Sequence, residues 1–235
     1  MQDDNETRLA GVVRDLNGRF PEFWMLAVSA VVWVALALRT GAHIHHAGIA
    51  GNWWHWMMMV AAMMLPLQIQ AVRWTAERSL WPRRHRAILG FLIGYLGLWA
   101  IVGAVFSWVA TVYAIPHRIG WMQGAAVGLL IETLWLLSPW KRFAAHMCHR
   151  ALPLSPAGWR ADRDCLAYGW TIGYGCALNC WPLMLLCWLA GHTFPVIVLG
   201  FGVACVDRYV TADYRLCATA TAIVGSALGV VSWVR

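Results

Sequence analysis

The sequence predicts an all-α fold, a polytopic bundle of about seven transmembrane helices. Of its 235 residues, 60% are hydrophobic and only 12% are charged, and the mean hydropathy is +0.57. A soluble domain is typically about 45–50% apolar and about 25% charged, so this composition indicates a membrane protein. Apolar stretches of about 20 residues, the length that crosses a bilayer as a helix, recur along the chain. Short arginine-rich segments separate them.

Seven stretches have approximately the length of a membrane span, although the sixth is short. Residues 1–21 carry mixed charges and are mildly amphipathic, so we interpret them as a cytoplasmic N-terminal segment and residues 22–235 as a single transmembrane helical domain. Pro66 and Pro182 lie within spans, where we expect neighbouring helices to satisfy the backbone groups that proline leaves free. The predicted spans are 22–38, 53–72, 87–115, 119–137, 165–190, 193–206 and 216–234.

The distribution of positive charge predicts the orientation of these spans. With a cytoplasmic N-terminus, 15 of the 18 lysine and arginine residues fall in inner segments, as the positive-inside rule expects. The same distribution accounts for the net charge of +7, so we exclude a nucleic-acid partner. We therefore expect a multi-pass protein of a bacterial cytoplasmic (inner) membrane, surrounded by membrane lipids.

A stretch rich in histidine and methionine follows the first span, HIHHAGIAGNWWHWMMMVAAMMLP at 43–66. Side chains four residues apart share one face of a helix, and Met64 is expected to point away from the face that carries the other candidates. Imidazole and thioether are both ligands of copper. The metal-ligand candidates are His43, His45 and His46 in the outer loop, and His55, Met59 and Met63 on one face of the second span.

The fifth span repeats this arrangement with cysteine. Its sulfur-bearing face carries Cys176, Cys180, Met184 and Cys187. Given a rise of about 1.5 Å per residue, Met63 and Cys180 each lie roughly 15 Å below the outer ends of their spans, so the two faces can meet at one depth. Thiolate and thioether are soft ligands that favour Cu(I). The alternative is packing alone, since buried cysteine and methionine also act as apolar side chains.

Few other residues carry chemistry. Glu132 is the only carboxylate well inside a span, and such an acid is either a proton relay or a structural acid, paired with Arg73, Gln68 or Gln70. Asp207 and Arg208 are interpreted as an interfacial charge pair, and Lys141 as part of a cytoplasmic loop. His55 and His192 can both face inward near the outer surface, which keeps haem open as a cofactor, but haem ranks below copper because no second histidine lies deep in the spans.

Three motifs resemble a bacterial family of integral membrane proteins that are predicted to bind metal and have no known function. They are W-M-M-M-V-A-A-M-M-L-P at 56–66, L-S-P-W-K at 137–141, and G-W-T-I-G-Y-G-C-A-L-N-C-W-P-L-M at 169–184. Asn179 stands where the family often has a further cysteine, which reduces the expected number of thiolate ligands. The resemblance implies that the signature positions are Met63, Met64, Pro66, Cys176, Cys180, Trp181 and Met184.

The sequence leads to one hypothesis and one alternative. The hypothesis is an integral membrane protein that binds, stores or transfers Cu(I) taken from the periplasmic face, with a metallochaperone or a larger membrane complex as its partner. The alternative is a non-catalytic accessory subunit whose sulfur and aromatic faces pack within a larger metalloenzyme or redox complex. No catalytic residue is predicted, since the sequence holds no phosphate loop, nucleophile elbow or paired catalytic carboxylates.

Overall fold

The computed structural model describes residues 20–38, 49–113, 120–148, 150–209 and 214–234. Most of the predicted N-terminal segment, and His43, His45 and His46 of the outer loop, lie outside these ranges. Within them the fold is all-helical, as predicted, and contains no strand. The nine α-helices found there are α1 (Phe23–Leu38), α2 (Ile49–Met64), α3 (Ile69–Glu77), α4 (Arg84–Tyr113), α5 (Trp121–Leu137), α6 (Pro139–Cys148), α7 (Gly158–Leu189), α8 (Phe194–Tyr209) and α9 (Tyr214–Val234).

A helix lies at each of the seven predicted span positions, but fewer meet the requirements of a span. Two described helices are long and apolar enough to cross a membrane by themselves, Trp81–Tyr113 and Gly158–Leu189. The number rises to four if each of two bent helix pairs forms one span. The seven-span count and the cytoplasmic N-terminus therefore remain predictions.

The second predicted span is broken at Pro66. Helix α2 ends at Met64, a 3-10 turn covers Pro66–Gln68, and α3 continues at an angle of 44°. Proline lacks the N–H that would bind the carbonyl four residues earlier, which is that of Ala62. Helix α1 supplies the missing donors, because Ser29 Oγ and Trp33 Nε1 donate to the Ala62 carbonyl at 3.0 and 2.9 Å. Neighbouring helices do satisfy this proline-freed group, as expected.

The predicted cytoplasmic loop after the fifth helix is instead largely a helix, and this prediction was wrong. The chain turns at Ser138, and α6 runs at 87° to α5 and packs against α7. Lys141 and Cys148 face inward from α6 and are only 1% and 3% exposed. Their burial places a cationic side chain and a thiol against the centre of the bundle.

Helix α7 is the central element and packs against α4, α5, α6 and α8. Its glycines permit close approach to α4: Gly169 lies against the backbone carbonyl of Phe91, and Gly94 of α4 against that of Leu166. These glycines therefore allow α4 and α7 to pack backbone to backbone. Helix α9 packs mainly on α5. Neighbouring helices therefore cover most of α7, and only a few of its positions face outward. Its sulfur atoms are buried.

Candidate metal centre

Three sulfur atoms surround that of Cys176 in the middle of α7. The Cys176 thiol donates to Met64 Sδ at 3.9 Å, and the thiols of Cys148 and Cys180 lie close enough to interact with it. All four residues are at most 4% exposed, and the three cysteines are not in disulfides. These residues, Met64, Cys148, Cys176 and Cys180, are called the sulfur cluster below.

Three separate elements deliver these sulfur atoms. Met64 is the last residue of α2, immediately before the break at Pro66, and Cys148 is the last residue of α6. Cys176 and Cys180 stand one turn apart on α7, where residues four apart share a face. Gly175 lets α6 come close, because a Cβ at this position would lie 2.7 Å from the Met147 carbonyl carbon and 2.9 Å from the Cys148 nitrogen.

Two polar side chains are directed at the Cys176 sulfur. The Tyr95 hydroxyl donates to Sγ at 3.3 Å. The Gln68 amide nitrogen donates to the Tyr95 oxygen at 3.2 Å and to Sγ at 3.8 Å. Both side chains are fully buried, so these donors offer hydrogen bonds to sulfur in a place that is closed to water. Such an environment suits a sulfur atom that acts as an electron-pair donor.

A buried ion pair lies on the other side of Cys180. Lys141 Nζ contacts Asp207 Oδ2 at 2.8 Å and donates to the Asn179 carbonyl at 3.3 Å. The Asn179 amide donates to the same Asp207 oxygen at 2.9 Å and to Cys180 Sγ at 3.6 Å. The predicted pairing of Asp207 with Arg208 was therefore wrong, since Asp207 points into the bundle. Asn179 links this ion pair to the sulfur cluster.

Glu132 is the acid nearest to this ion pair. It is fully buried, and neither carboxylate oxygen has a hydrogen-bond partner in the described part of the chain. Its charge is attracted by Lys141 and repelled by Asp207. Pairing with Arg73 was a wrong expectation, because Arg73 binds Glu22 instead. Glu132 and Asp207 therefore share one buried cation, and the choice between proton relay and structural acid stays open.

The remaining predicted sulfur ligands of the two spans are buried but lie around other centres. Met59 is fully buried in α2. A Cβ on Gly200 of α8 would meet Met63 Cε at 3.2 Å and Cys187 Sγ at 3.3 Å, so both border this glycine. Met184 lines an apolar cavity of about 350 Å³, together with Trp56 and Trp99 among others. Helices α2 and α7 do meet through sulfur, but the contact to Cys176 comes from Met64, which was expected to point away from the predicted face.

The two histidines that were considered for haem stand side by side at the far end of these helices. The ring centres of His55 and His192 lie 5.2 Å apart, and the ring planes cross at 72°. An iron held between imidazoles on opposite sides of a porphyrin needs ring centres more than about 6 Å apart. This spacing therefore does not suit haem.

The sulfur cluster suits a soft monovalent ion better than a hard or divalent one. In the described ranges, no group of three or more His, Cys, Asp or Glu side chains is placed to hold a metal ion. A site made of Cys176, Cys180 and the Met64 thioether does not need such a group, because it draws on sulfur of two kinds. Thiolate and thioether together are the ligand set that Cu(I) prefers.

Sequence reasoning left two of the four cluster members, Met64 and Cys148, out of the predicted ligand set. Met64 carried one signal, as part of the resemblance motif at 56–66. Cys148 carried another, because Lys141, Ala144 and Cys148 recur at the three- and four-residue spacing of one helical face. All three are buried in α6.

Comparison with known proteins assigns this region to a family. A family model described as PpoB2, copper chaperone, matches residues 53–232. The match covers more than half of the chain and includes every residue of the sulfur cluster. No curated protein and no solved structure matches the chain.

Proposed function

The chain belongs to the PpoB2 family of copper chaperones, and we propose that it carries Cu(I) on the sulfur cluster. The family supports a copper-handling role and agrees with the copper predicted from the sequence. The observation that carries the proposal is the convergence of Cys176 with Met64, Cys148 and Cys180. Copper is then the cargo of the protein rather than a resident catalytic group.

The chemistry of loading follows from the donor set. Two thiols, those of Cys176 and Cys180, bind Cu(I) as thiolates, so loading releases two protons and leaves a site with one negative charge. Met64 adds a neutral thioether, and Cys148 is close enough to exchange with it. Tyr95 and Gln68 donate hydrogen bonds to the Cys176 sulfur, which orients it and compensates part of the new charge.

We place the site within a bacterial cytoplasmic membrane, in a multi-pass chain with the N-terminus inside. Large apolar side chains cover the outward faces of several helices; Val31 of α1, Leu134 of α5 and Ile223 of α9 are each about two-thirds exposed. Aqueous solvent disfavours so many exposed apolar groups, whereas lipid does not. The positive-inside distribution of arginine supports the orientation.

The proposed direction is from the periplasmic face to a partner protein. In this orientation the arginine-rich segment around α6 lies on the cytoplasmic side. Cys148, at the end of α6, therefore approaches Cys176 from that side. Copper that reaches the cluster is then near the side from which a soluble metallochaperone or a larger complex can receive it. Cys148, at the end of α6, is the natural ligand for handing the ion over, because α6 is a short helix at the edge of the bundle.

Copper content tests the proposal. The full chain is purified in mild detergent, loaded with Cu(I) under reductant, and desalted before elemental analysis. We expect about one copper per chain in the parent and almost none in C176S/C180S. C205S is the matched control, because Cys205 lies on α8 outside the sulfur cluster and is only partly buried; it is expected to retain the metal.

Two results would oppose the proposal. Equal copper in the parent and in C176S/C180S would show that these two thiols do not bind the metal. A protein that carries no copper but purifies with other membrane proteins at a fixed ratio would instead favour the accessory-subunit alternative. Circular dichroism of each variant verifies that the helices are intact.

A further inference from the structure

We propose that His55 and His192 form a second copper site, which receives the ion and passes it to the sulfur cluster. The direction of transfer rests on the proposed function. The binding of metal to the histidine pair does not depend on it. The site is built from imidazole rather than sulfur, and it lies toward the start of α2 and just beyond the end of α7, away from the sulfur cluster.

The spacing of the two rings matches a shared metal ion. With a metal–nitrogen distance of about 2.1 Å, and about 1.1 Å more to the ring centre, each ring centre lies about 3.2 Å from the metal. Two such imidazoles at a tetrahedral angle have ring centres about 5 Å apart. The observed separation between His55 and His192 is 5.2 Å. The rings cross at 72° in an edge-to-face arrangement.

The backbone fixes His192 in this place. Helix α7 ends in a Schellman motif, in which the His192 N–H donates to the Cys187 carbonyl at 2.8 Å and the Gly191 N–H to the Trp188 carbonyl at 3.0 Å. Gly191 and His192 both have positive φ, 66° and 56°. Positive φ is uncommon for residues other than glycine, although histidine tolerates it better than most. The turn therefore fixes where the His192 imidazole stands beside His55.

Soft side chains link the histidine pair with the sulfur cluster. Along α2, Met59 stands one turn from His55, and Met63 one turn further, beside Cys187 at Gly200. Met64 then contacts Cys176. With a rise of about 1.5 Å per residue, His55 and Met64 are roughly 14 Å apart along the helix. One ion cannot bind both groups at once, so these are two sites joined by thioethers.

The transfer needs no oxidant or reductant. Neutral imidazoles hold Cu(I) without losing a proton, and they also accept Cu(II). Cu(I) leaves the two nitrogen ligands and is bound by sulfur, and its oxidation state does not change. The two thiols of the cluster release their protons to bulk solvent at that step, and the histidines, which stay neutral throughout, lose the ion.

The first experiment measures binding to the histidine pair alone. Its background is the full chain with H43Q, H45Q and H46Q, which removes the loop imidazoles, and with C176S and C180S, which removes the central thiols. Cu(II) is the probe, and electron paramagnetic resonance is the readout. We expect about one Cu(II) per chain with hyperfine coupling to two imidazole nitrogens. H192N, which keeps a residue that tolerates positive φ, removes this signal; H85N, at an exposed histidine of α4, keeps it.

The second experiment measures transfer. In the H43Q/H45Q/H46Q chain with intact thiols, Cu(I) loading of the sulfur cluster is followed in time by thiolate-to-copper absorption. H192N and H55Q should reach the same final copper content as H85N. They should load more slowly, by at least about tenfold. Loss of a side chain that only supports a metal ligand already costs a metal site about that factor.

The outcomes separate the two proposals. An unchanged nitrogen signal in H192N, or equal loading rates in H192N and H85N, overturns the second site and leaves the sulfur cluster standing. If the thiol-containing chain binds no Cu(I), the proposed function fails. The Cu(II) signal would still decide, by itself, whether the histidine pair binds metal.

Discussion

Replacing Lys141 with methionine is expected to destabilise the fold by roughly 3–5 kcal/mol, the usual cost of removing one partner from a buried ion pair. Lys141 and Asp207 have side chains that are 1% and 4% exposed, with 2.8 Å between Nζ and Oδ2. The substitution leaves Asp207 and Glu132 buried with no cation beside them. It also removes the donor to the Asn179 carbonyl.

The pair can be resolved with a double-mutant cycle. D207N should cost less than K141M, because Lys141 then still has the Glu132 carboxylate nearby and a neutral amide beside it. In K141M/D207N the two losses should not add, and the coupling should exceed about 1 kcal/mol for groups in direct contact. R142M, at an exposed neighbour in α6, should stay within about 0.5 kcal/mol of the parent.

The assay is reversible unfolding of the full chain in mixed detergent micelles, followed by tryptophan fluorescence, with the free energy of unfolding taken from the transition. A K141M variant as stable as R142M would refute the reasoning. It would show that Lys141 is neutral or solvated in the folded protein and that the polar network beside Cys180 is not an ion pair.

Further predictions concern the supports of the sulfur cluster. G175L should cost about 1–3 kcal/mol by overpacking against α6 and should weaken Cu(I) binding, whereas G202L should do neither, because no atom lies within 4 Å of a Cβ at Gly202. M64L conserves volume, so it should cost less than about 1.5 kcal/mol while lowering Cu(I) affinity about tenfold in competition with a chromophoric chelator. W33F should cost about 1 kcal/mol in micelle unfolding by removing a hydrogen bond to the Ala62 carbonyl; no loss would mean that this carbonyl needs only one donor.

Hydropathy located the helices because the apolar length of a span is a local property of the chain. It also led to the expectation that neighbouring helices satisfy the carbonyl freed by Pro66, and α1 does so at Ala62. Local information could not show that the span after Met64 bends by 44°. Proline allows either a kinked continuous helix or a break, and the contacts of the following turn decide between them.

The face of α2 that meets α7 could not be predicted from periodicity. Met59, Met63 and Met64 are all fully buried, so α2 is covered on several sides, and an all-round apolar helix gives no preferred direction. His55 and Met63 do lie on one face of the helix α2, but Met63 borders α8 at Gly200. Met64, expected to point away, is the residue that reaches Cys176.

Long-range pairing accounts for the other differences. Lys141 and Asp207 are 66 residues apart in the chain, and nothing in either local sequence indicates the other. The arginine-rich composition around α6 favoured a solvated loop, although only one face of the segment is polar. The buried face, which carries Lys141 and Cys148, becomes important only once α6 folds back against α7 at Gly175.

Copper K-edge X-ray absorption of the Cu(I)-loaded full chain tests the central claim most directly. The sulfur-cluster account predicts a Cu(I) edge with a first shell of two or three sulfur atoms, and loss of that shell in C176S/C180S but not in C205S. A first shell of nitrogen and oxygen alone, or a sulfur shell that survives in C176S/C180S, would contradict it.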